Sequence, residues 1–490
     1  MAPDETTALL GRRDGVQRGL KARHLIMMSV GGTIGTGLFV ASGMTVATAG
    51  PAGALTAYFV VGLMVFFVLT SLGEMATLIP SSGSFHEYAS RFVDPALGWT
   101  LGWNYWLQWA ISLTSEITAA GIITTFWFPD VPAWVFSAII LCVLVFVNTR
   151  SVSSFGESEY WLSMIKVAAV LVFIVVGFYV DIVGVPSTPA VGFKNWTIEG
   201  APFKNGFSGI FQVISIAFFA FGGTELVGVS AGEVENPRKN VPTAINQTFW
   251  RILIFYICSI AVIGLLIPHD DPSLLLSAAS GDVSIAPFTL ILQRAGLVSA
   301  SNVMNAVILS AVVSTANSAM YAASRTLMAL SQRGQAPQAF SLLNSNGIPV
   351  YSLAVTVAIG SLAFLGIALG EGVLFNWLLT ITGTSGLLTW MSISFCHLRF
   401  RAAYEAQGKS SLNLPYQAPF YPYSDYAAIA MGVLILVGQA ASALLATNTD
   451  FSILISVFGG IPMFFSLYAG YKWLNGTKLV PLHECRFVEL

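Results

Sequence analysis

Residues 26–73 read IMMSVGGTIGTGLFVASGMTVATAGPAGALTAYFVVGLMVFFVLTSLG, and none of these 48 residues carries a charge. A helix that crosses a membrane needs about 20 predominantly apolar residues, so this stretch is long enough for two such helices. Gly50 and Pro51 lie in its interior, and this dipeptide is typical of a boundary between elements. We therefore expect one span before Gly50 and a second span after it.

Ten more apolar runs follow, and they are continuous rather than alternating with the period of two that a membrane barrel requires. The sequence therefore predicts an all-α polytopic membrane protein with 12 transmembrane helices. The ten further runs are about 98–128, 132–149, 158–181, 206–231, 243–267, 299–330, 350–369, 373–397, 426–447 and 451–473.

The composition excludes several classes of protein. Of the 490 residues, 55% are hydrophobic and 9% are charged, against about 25% charged in soluble proteins. This excludes a soluble fold and a disordered chain, and the net charge of −2 offers no basic surface for nucleic acid. The four cysteines lie far apart, outside any metal-binding spacing. We expect free thiols, no metal, no cofactor and no enzyme activity.

Lys and Arg are unevenly distributed between the segments that join the predicted spans. With the N-terminus inside, 16 of the 22 fall in inner segments and three in outer loops. Cytoplasmic loops carry such an excess. Because an even number of spans returns the chain to the same side, we expect both termini to be cytoplasmic, with an N-terminal tail over residues 1–23.

Two spans contain glycine-rich interruptions: residues 31–37 (GGTIGTG) in the first and residues 221–225 (FGGTE) in the sixth. Glycine costs about 1 kcal/mol inside a helix, and backbone at membrane depth must still find hydrogen-bond partners. Broken helix ends that line a cavity present amides to an anion and carbonyls to a cation. An amino acid carries both charges, so these interruptions predict its binding site. The alternative is that Gly31 and Gly35 form a helix-packing motif.

The chain resembles amino acid permeases of the amino acid–polyamine–organocation superfamily, and within it the bacterial lysine-specific permeases. Four stretches that carry the resemblance are LKARHLIMMSVGGTIGTGLFVASG (20–43), FGESEYWLSMIKV (155–167), GTELVGVSAGEVENPRKNVPTAI (223–245) and VMNAVILSAVVSTANSAMYAASR (303–325). The resemblance implies a symporter that imports L-lysine with protons by alternating access, across the bacterial inner (cytoplasmic) membrane and surrounded by its lipid.

The resemblance also implies the LeuT-like fold, with two inverted five-helix repeats, two extra helices, and spans 1 and 6 broken. The interruptions lie five spans apart, and because five is odd, such a repeat must be inverted. The expected divisions are residues 24–200 for spans 1–5 and an outer loop, 201–400 for spans 6–10, 401–474 for spans 11 and 12, and 475–490 for a cytoplasmic tail.

Substrate-binding residues are predicted at both interruptions and on the third span. Backbone amides near Gly35 and the Thr36 hydroxyl are expected to hold the carboxylate, as helix starts hold anions. On the third span, Asn104 and Gln108 are one turn apart, although aromatic neighbours there also suit an interfacial belt. The predicted substrate-binding residues are Thr33, Ile34, Gly35, Thr36, Gly37, Asn104, Gln108, Glu116, Phe219, Phe221, Gly222, Thr224 and Glu225.

Ionisable residues inside spans are costly and are functional candidates by default. Lys166 is predicted to couple protons, because in similar permeases a lysine here occupies the cation site of sodium-coupled relatives; the alternative is that it reaches the inner membrane surface. Glu225 is a second proton-coupling candidate. Glu225 and Glu116 are candidates to meet the substrate ammonium, or are structural. By resemblance, Ser314, Asn317 and Ser318 support Lys166, unless they only join helices.

Other functions stay open. The chain could carry a broader set of cationic or neutral amino acids, or combine transport with amino-acid sensing. A channel is disfavoured, because a site closed between two broken helices does not form a continuous pore.

Overall fold

The computed structural model describes residues 33–81, 84–149, 152–229, 231, 236–280, 286–344, 347–444 and 458–487. The tail over residues 1–23 and the first part of the glycine-rich stretch, with Gly31, lie outside the described residues. Within these ranges the chain forms helices and no strand, which confirms the all-α class.

In chain order, the helices are α1 (Thr36–Phe39), α2 (Ser42–Leu78), α3 (Ser84–Phe92), α4 (Pro95–Thr124), α5 (Ala133–Asn148), α6 (Val152–Ile182), α7 (Gly206–Phe221), α8 (Leu226–Val229), α9 (Pro237–Leu266), α10 (Pro272–Ser280), α11 (Pro287–Arg294), α12 (Val298–Gln332), α13 (Val350–Gly360), α14 (Gly366–Leu369), α15 (Glu371–Ala406), α16 (Tyr423–Leu444) and α17 (Gly460–Asn475).

Seven helical segments of the described chain are long and apolar enough to cross a membrane, so the protein is polytopic. They are 42–78, 159–182, 206–228, 298–332, 350–369, 371–406 and 423–444. The first of these segments holds the end of predicted span one and the whole of predicted span two, which meet at the predicted boundary, because Gly50 departs from helical geometry there. Part of the predicted twelfth span, residues 451–457, lies outside the described ranges. The number of 12 spans stays a prediction.

The kink at Gly50 has a clear steric cause. Its φ is +76°, in the left-handed region that favours glycine. A Cβ at this position would lie 2.6 Å from the carbonyl oxygen of Pro202. The loop before α7 therefore packs directly on the backbone of α2.

The interior places α2 against α7 and α9, and α4 against α12 and α15. The short helix α1 contacts α7 and α12. Side chains on these facing surfaces are largely buried. The two glycine-rich segments therefore lie at the centre of the helical bundle.

A buried cluster of charges joins α2, α15 and α16. Arg401 Nη2 donates to Glu74 Oε2 at 2.8 Å, and Arg401 Nε also contacts this carboxylate. His397 lies between two acids, with Nδ1 2.7 Å from Asp425 Oδ2 and Nε2 3.2 Å from Glu74 Oε1. A neutral imidazole has one N–H, so contact with two carboxylates favours the doubly protonated ring. The cluster holds three helices together.

We expect Arg401→Ala to lower the free energy of unfolding by about 3 kcal/mol, because Glu74 would lose its guanidinium partner while staying buried. Arg238→Ala is the matched control, since Arg238 is exposed on α9. Thermal and denaturant unfolding in detergent measure the difference. Equal stability of the two variants would contradict a structural role for the cluster.

The short helix α3 is anchored to the end of α12. Arg333 Nη2 donates to Glu87 Oε2 at 2.8 Å. Burial and the adjacent Arg333 lower the pKa of His86 to about 3. The ring is therefore neutral, and its Nε2 accepts from Arg333 Nη1 at 2.8 Å. These bonds fix α3 at one end of the bundle.

The segment after α17 docks at the same end. Val480 N donates to Val93 O at 2.8 Å, and Arg399 joins Phe92 O to Val480 O. The ring of Phe487 packs against Phe92 with centroids 5.4 Å apart. Residues 480–487 thus cover the junction of α3, α4 and α15.

Candidate functional site

A cavity lies between α1, the segment that follows α7, and the facing surfaces of α4, α12 and α15. The space in and around it that protein atoms leave free, open solvent included, is about 500 Å³. The lining residues are Thr33, Gly35, Gly37, Gln108, Trp109, Ser112, Glu116, Phe218, Phe219, Gly222, Gly223, Thr315, Thr382, Gly386 and Trp390.

One wall of the cavity is non-helical backbone. Helix α7 ends at Phe221 and α8 begins at Leu226. Gly223, in the segment between them, has φ +94°, a conformation that favours glycine. The Thr224 hydroxyl donates to Phe221 O at 3.0 Å. The stretch FGGTE therefore coincides with a buried gap between two helices beside the cavity.

The carboxylate of Glu225 turns back onto this segment. Its Oε2 accepts from Gly223 N at 3.2 Å. The whole side chain is buried. Tyr105 and Trp390 lie beside the carboxyl group. Glu225 is thus next to the cavity without lining it.

Helix α1 forms the opposing wall and is held from several sides. The Tyr256 hydroxyl lies 3.0 Å from Thr33 O and 2.6 Å from Ala220 O. A Cβ on Gly37 would lie 2.4 Å from the Cα of Ala220, so α1 and α7 are in backbone contact. Glycine at position 37 is what permits this approach.

The hydroxyl of Thr36, predicted to hold a substrate carboxylate, instead donates to Glu116 Oε1 at 2.8 Å. Both side chains are buried. Glu116 Oε2 has no hydrogen-bond partner among the residues described. One carboxylate oxygen of Glu116 therefore accepts a hydrogen bond from Thr36, and the other can accept one at the cavity wall.

Lys166 is fully enclosed rather than directed to a membrane surface. It is 1% exposed, and its Nζ donates to Thr315 Oγ1 at 3.2 Å. Its charge interacts with Glu159 and Glu116. Thr315 in turn lies against α1, because a Cβ on Gly35 would be 2.7 Å from its Oγ1. This geometry links Lys166 to the cavity through one threonine.

The cavity brings together seven of the predicted substrate-binding residues. Lining residues are Thr33, Gly35, Gly37, Gln108, Glu116, Phe219 and Gly222. The other six are adjacent to it or engaged elsewhere: Ile34, Thr36, Asn104, Phe221, Thr224 and Glu225.

Asn104 and Phe221 are used for packing. The Asn104 amide donates to Ser385 O and Thr389 Oγ1, and its Oδ1 accepts from the Ser385 hydroxyl. Asn104 therefore joins α4 to α15. Phe221 stacks on Tyr256 with centroids 4.7 Å apart, so it closes the packing behind the cavity.

Of the three residues on α12 predicted to support Lys166, Ser314 is connected to it through Glu159, whose charge interacts with the lysine. Ser314 donates to Glu159 Oε2 at 2.8 Å, and Asn317 Oδ1 accepts from Asn148 at 2.7 Å. Ser318 is half-buried. Thr315, which no sequence pattern singled out, provides the hydrogen bond to Lys166.

Several cavity-lining residues were not predicted from the sequence. Some of them recur every four residues along α4 and α15. Ser112 lies one turn from both Gln108 and Glu116 on α4, so this polar stripe was detectable from spacing. Thr382, Gly386 and Trp390 are likewise spaced by four on α15, although nothing in that span pointed to a site. The other missed residues are Trp109, Phe218, Gly223 and Thr315.

Comparison with known proteins places the chain in a family. The amino acid permease family model matches residues 24–483. The lysine-specific permease LysP of Escherichia coli (strain K12) is 46% identical over 473 residues, which are 96% of each chain. The histidine permease HisP of Lactococcus lactis subsp. cremoris (strain MG1363) is 45% identical over 470 residues, 96% of this chain and 97% of the relative.

A solved structure shows the same fold at low identity. A mutant manganese transporter from Eremococcus coleocola aligns with a TM-score of 0.51 and 14% identity, covering 92% of this chain and 94% of that one. The sequence relatives are named as permeases rather than enzymes. The chain therefore belongs to the amino acid permease family.

Proposed function

We propose that the protein imports L-lysine together with protons by alternating access. The observation that carries the proposal is the cavity, which is bounded by helix ends near Gly35 and Gly222 and by the acid Glu116. Such helix ends suit the carboxylate and ammonium of an amino acid. The identity of 46% with a lysine-specific permease favours lysine among amino acids.

The proposal includes the full membrane arrangement. Twelve spans form two inverted repeats over residues 24–200 and 201–400, followed by two helices over 401–474. Both termini, including the tail at 475–490, face the cytoplasm of a bacterial inner membrane. Spans 1 and 6 are each interrupted at mid-membrane; for span 6, this is supported by the gap between the end of α7 at Phe221 and the start of α8 at Leu226.

The substrate carboxylate binds at the amides of residues 34–37. In the present arrangement the Thr36 hydroxyl donates to Glu116, and two carboxylates cannot both be ionised at one donor without strong repulsion. We propose that Glu116 takes up a proton, or releases Thr36, when the substrate carboxylate arrives. Substrate binding and proton binding are then linked at the same wall.

The side-chain ammonium extends toward the opposite end of the cavity. Glu225 is the acid proposed to balance its charge from behind the wall at that end, where Tyr105 and Trp390 lie beside the carboxyl group. Gln108 contributes a neutral acceptor. Glu225 can also carry a proton between the two open states of the transporter.

A broader specificity is the second candidate. It is favoured by the histidine permease, whose identity of 45% is almost equal to that of the lysine permease. The glycine-rich backbone contacts only the α-carboxylate and α-ammonium, which all amino acids share. Discrimination therefore depends on the few side chains at the far end of the cavity.

Purified protein in proteoliposomes tests the function directly. We expect a pH gradient, acidic outside, to drive accumulation of radiolabelled lysine, with no change when choline replaces sodium. Excess histidine or leucine should leave uptake nearly unchanged. Strong competition by neutral amino acids would support the broader permease, and uptake without dependence on the gradient would contradict proton coupling.

A further inference from the structure

Three buried side-chain oxygens that belong to cavity-lining residues have no hydrogen-bond partner among the residues the structure describes. They are Gln108 Oε1, Glu116 Oε2 and Thr382 Oγ1. A buried polar atom without a partner is costly. When such atoms line a cavity, a ligand that donates hydrogen bonds removes this cost. The cavity wall is therefore prepared for N–H donors.

Thr382 can be placed along the cavity from its neighbours. Asn104 bonds to Ser385 and Thr389, and the amide nitrogen of Gln108 is 3.3 Å from where a Cβ on Gly386 would lie. Helix α15 therefore runs opposite to α4. Thr382 precedes Gly386 by one turn, which puts it across the cavity from the α4 stripe, between the levels of Gln108 and Glu116.

The length of lysine matches this position. Glu116 marks the carboxylate end, because it bonds to Thr36. The six bonds from the carboxyl carbon of lysine to its side-chain nitrogen span roughly 7–8 Å in an extended chain, because bonds of about 1.5 Å that zigzag at tetrahedral angles advance only about 1.25 Å each. One helical turn is about 5.4 Å and two are about 10.8 Å. An extended lysine therefore passes the level of Thr382 and ends between the levels of Thr382 and Gln108, within reach of the Gln108 side chain.

Resting on the proposed transport of lysine, we propose that Thr382 is a specificity-determining residue whose hydroxyl oxygen accepts a hydrogen bond from the substrate's side-chain ammonium. An ammonium has three N–H donors and no acceptor. Gln108 Oε1 accepts a second bond. A neutral side chain of the same length leaves these oxygens unpaired and is rejected.

The chain provides a matched control two residues away. Thr384 is also buried, and its hydroxyl likewise has no partner in the described structure. Two residues along a helix point to nearly opposite sides, and Thr384 Cγ2 lies 3.9 Å from where a Cβ on Gly460 of α17 would be. It does not line the cavity. Valine at either position keeps the shape and removes the hydroxyl.

The test measures binding of lysine and norleucine to purified wild type, Thr382→Val, Thr384→Val and Thr382→Ser. Norleucine has the same four-carbon side chain as lysine but lacks the side-chain ammonium. We expect Thr382→Val to lower the preference for lysine over norleucine by about ten-fold, the size of a lost hydrogen bond to a charged group. Thr384→Val and Thr382→Ser should keep the wild-type preference.

Three outcomes overturn the inference. In the first, Thr382→Val keeps the wild-type preference. In the second, Thr384→Val loses as much of it. In the third, Thr382→Ser loses the preference although it keeps the hydroxyl, which assigns the effect to packing of the methyl group. This outcome can be measured even if Thr382→Val does not fold. If wild type does not bind lysine, the proposed function fails first, and this result is distinct from a change confined to Thr382.

Discussion

Replacing Gly37 by alanine should abolish lysine uptake, whereas the same change at Gly35 should reduce it by roughly ten-fold. The Cβ of Ala at 37 would lie 2.4 Å from the Cα of Ala220, which belongs to the backbone of α7 and cannot rotate away. At 35 the new atom meets the side chain of Thr315 at 2.7 Å. A side chain can move, although here it would disturb the hydrogen bond to Lys166.

Uptake by proteoliposomes and the melting temperature in detergent measure these effects separately. Gly470→Ala is the control, because a Cβ on this residue of α17 meets nothing within 4 Å. Alanine is favoured over glycine within a helix, so this variant should transport normally. Normal transport by a folded Gly37→Ala variant would show that close contact between α1 and α7 is not required.

The helical class and the location of one cavity wall were predictable from the sequence. Apolar runs define helices that cross a membrane regardless of their neighbours, and FGGTE falls where α7 ends. The boundary at Gly50 was also predictable, because Gly50 departs from helical geometry and divides α2 into two helical parts. The loop at Pro202 packs on this kink.

The use of individual polar side chains could not be derived from one span alone. Asn104 and Gln108 lie one turn apart on the same helix, but Asn104 is bonded to Ser385 and Thr389 while Gln108 faces the cavity. The difference depends on where α15 crosses α4. The place of Thr382 in the cavity wall could not be predicted for the same reason, because a threonine in an apolar span does not indicate a site until the neighbouring helices are placed.

The same reasoning applies to Lys166. A single lysine in an apolar helix marks a functional candidate, and the structure adds its neighbours. They include Thr315, which accepts a hydrogen bond from it, and the acids Glu116 and Glu159. Because Thr315 also packs on Gly35, a change in the protonation of Lys166 can be transmitted to the wall of the proposed substrate site.

We therefore expect Lys166→Ala to lose concentrative uptake of lysine while retaining exchange of lysine across the membrane. A protonated Lys166 holds α6 to α12 through Thr315 and balances Glu116 and Glu159, and loss of its proton weakens these contacts. A proton gradient can then bias the exchange between the two open states only through differential binding to them. Without the ammonium the bias disappears, but the cavity persists.

Uptake driven by a pH gradient and exchange between preloaded vesicles measure the two activities, with exposed Lys239→Ala as the control. Gradient-driven accumulation at the wild-type level in Lys166→Ala would remove Lys166 from coupling and transfer the role to Glu225.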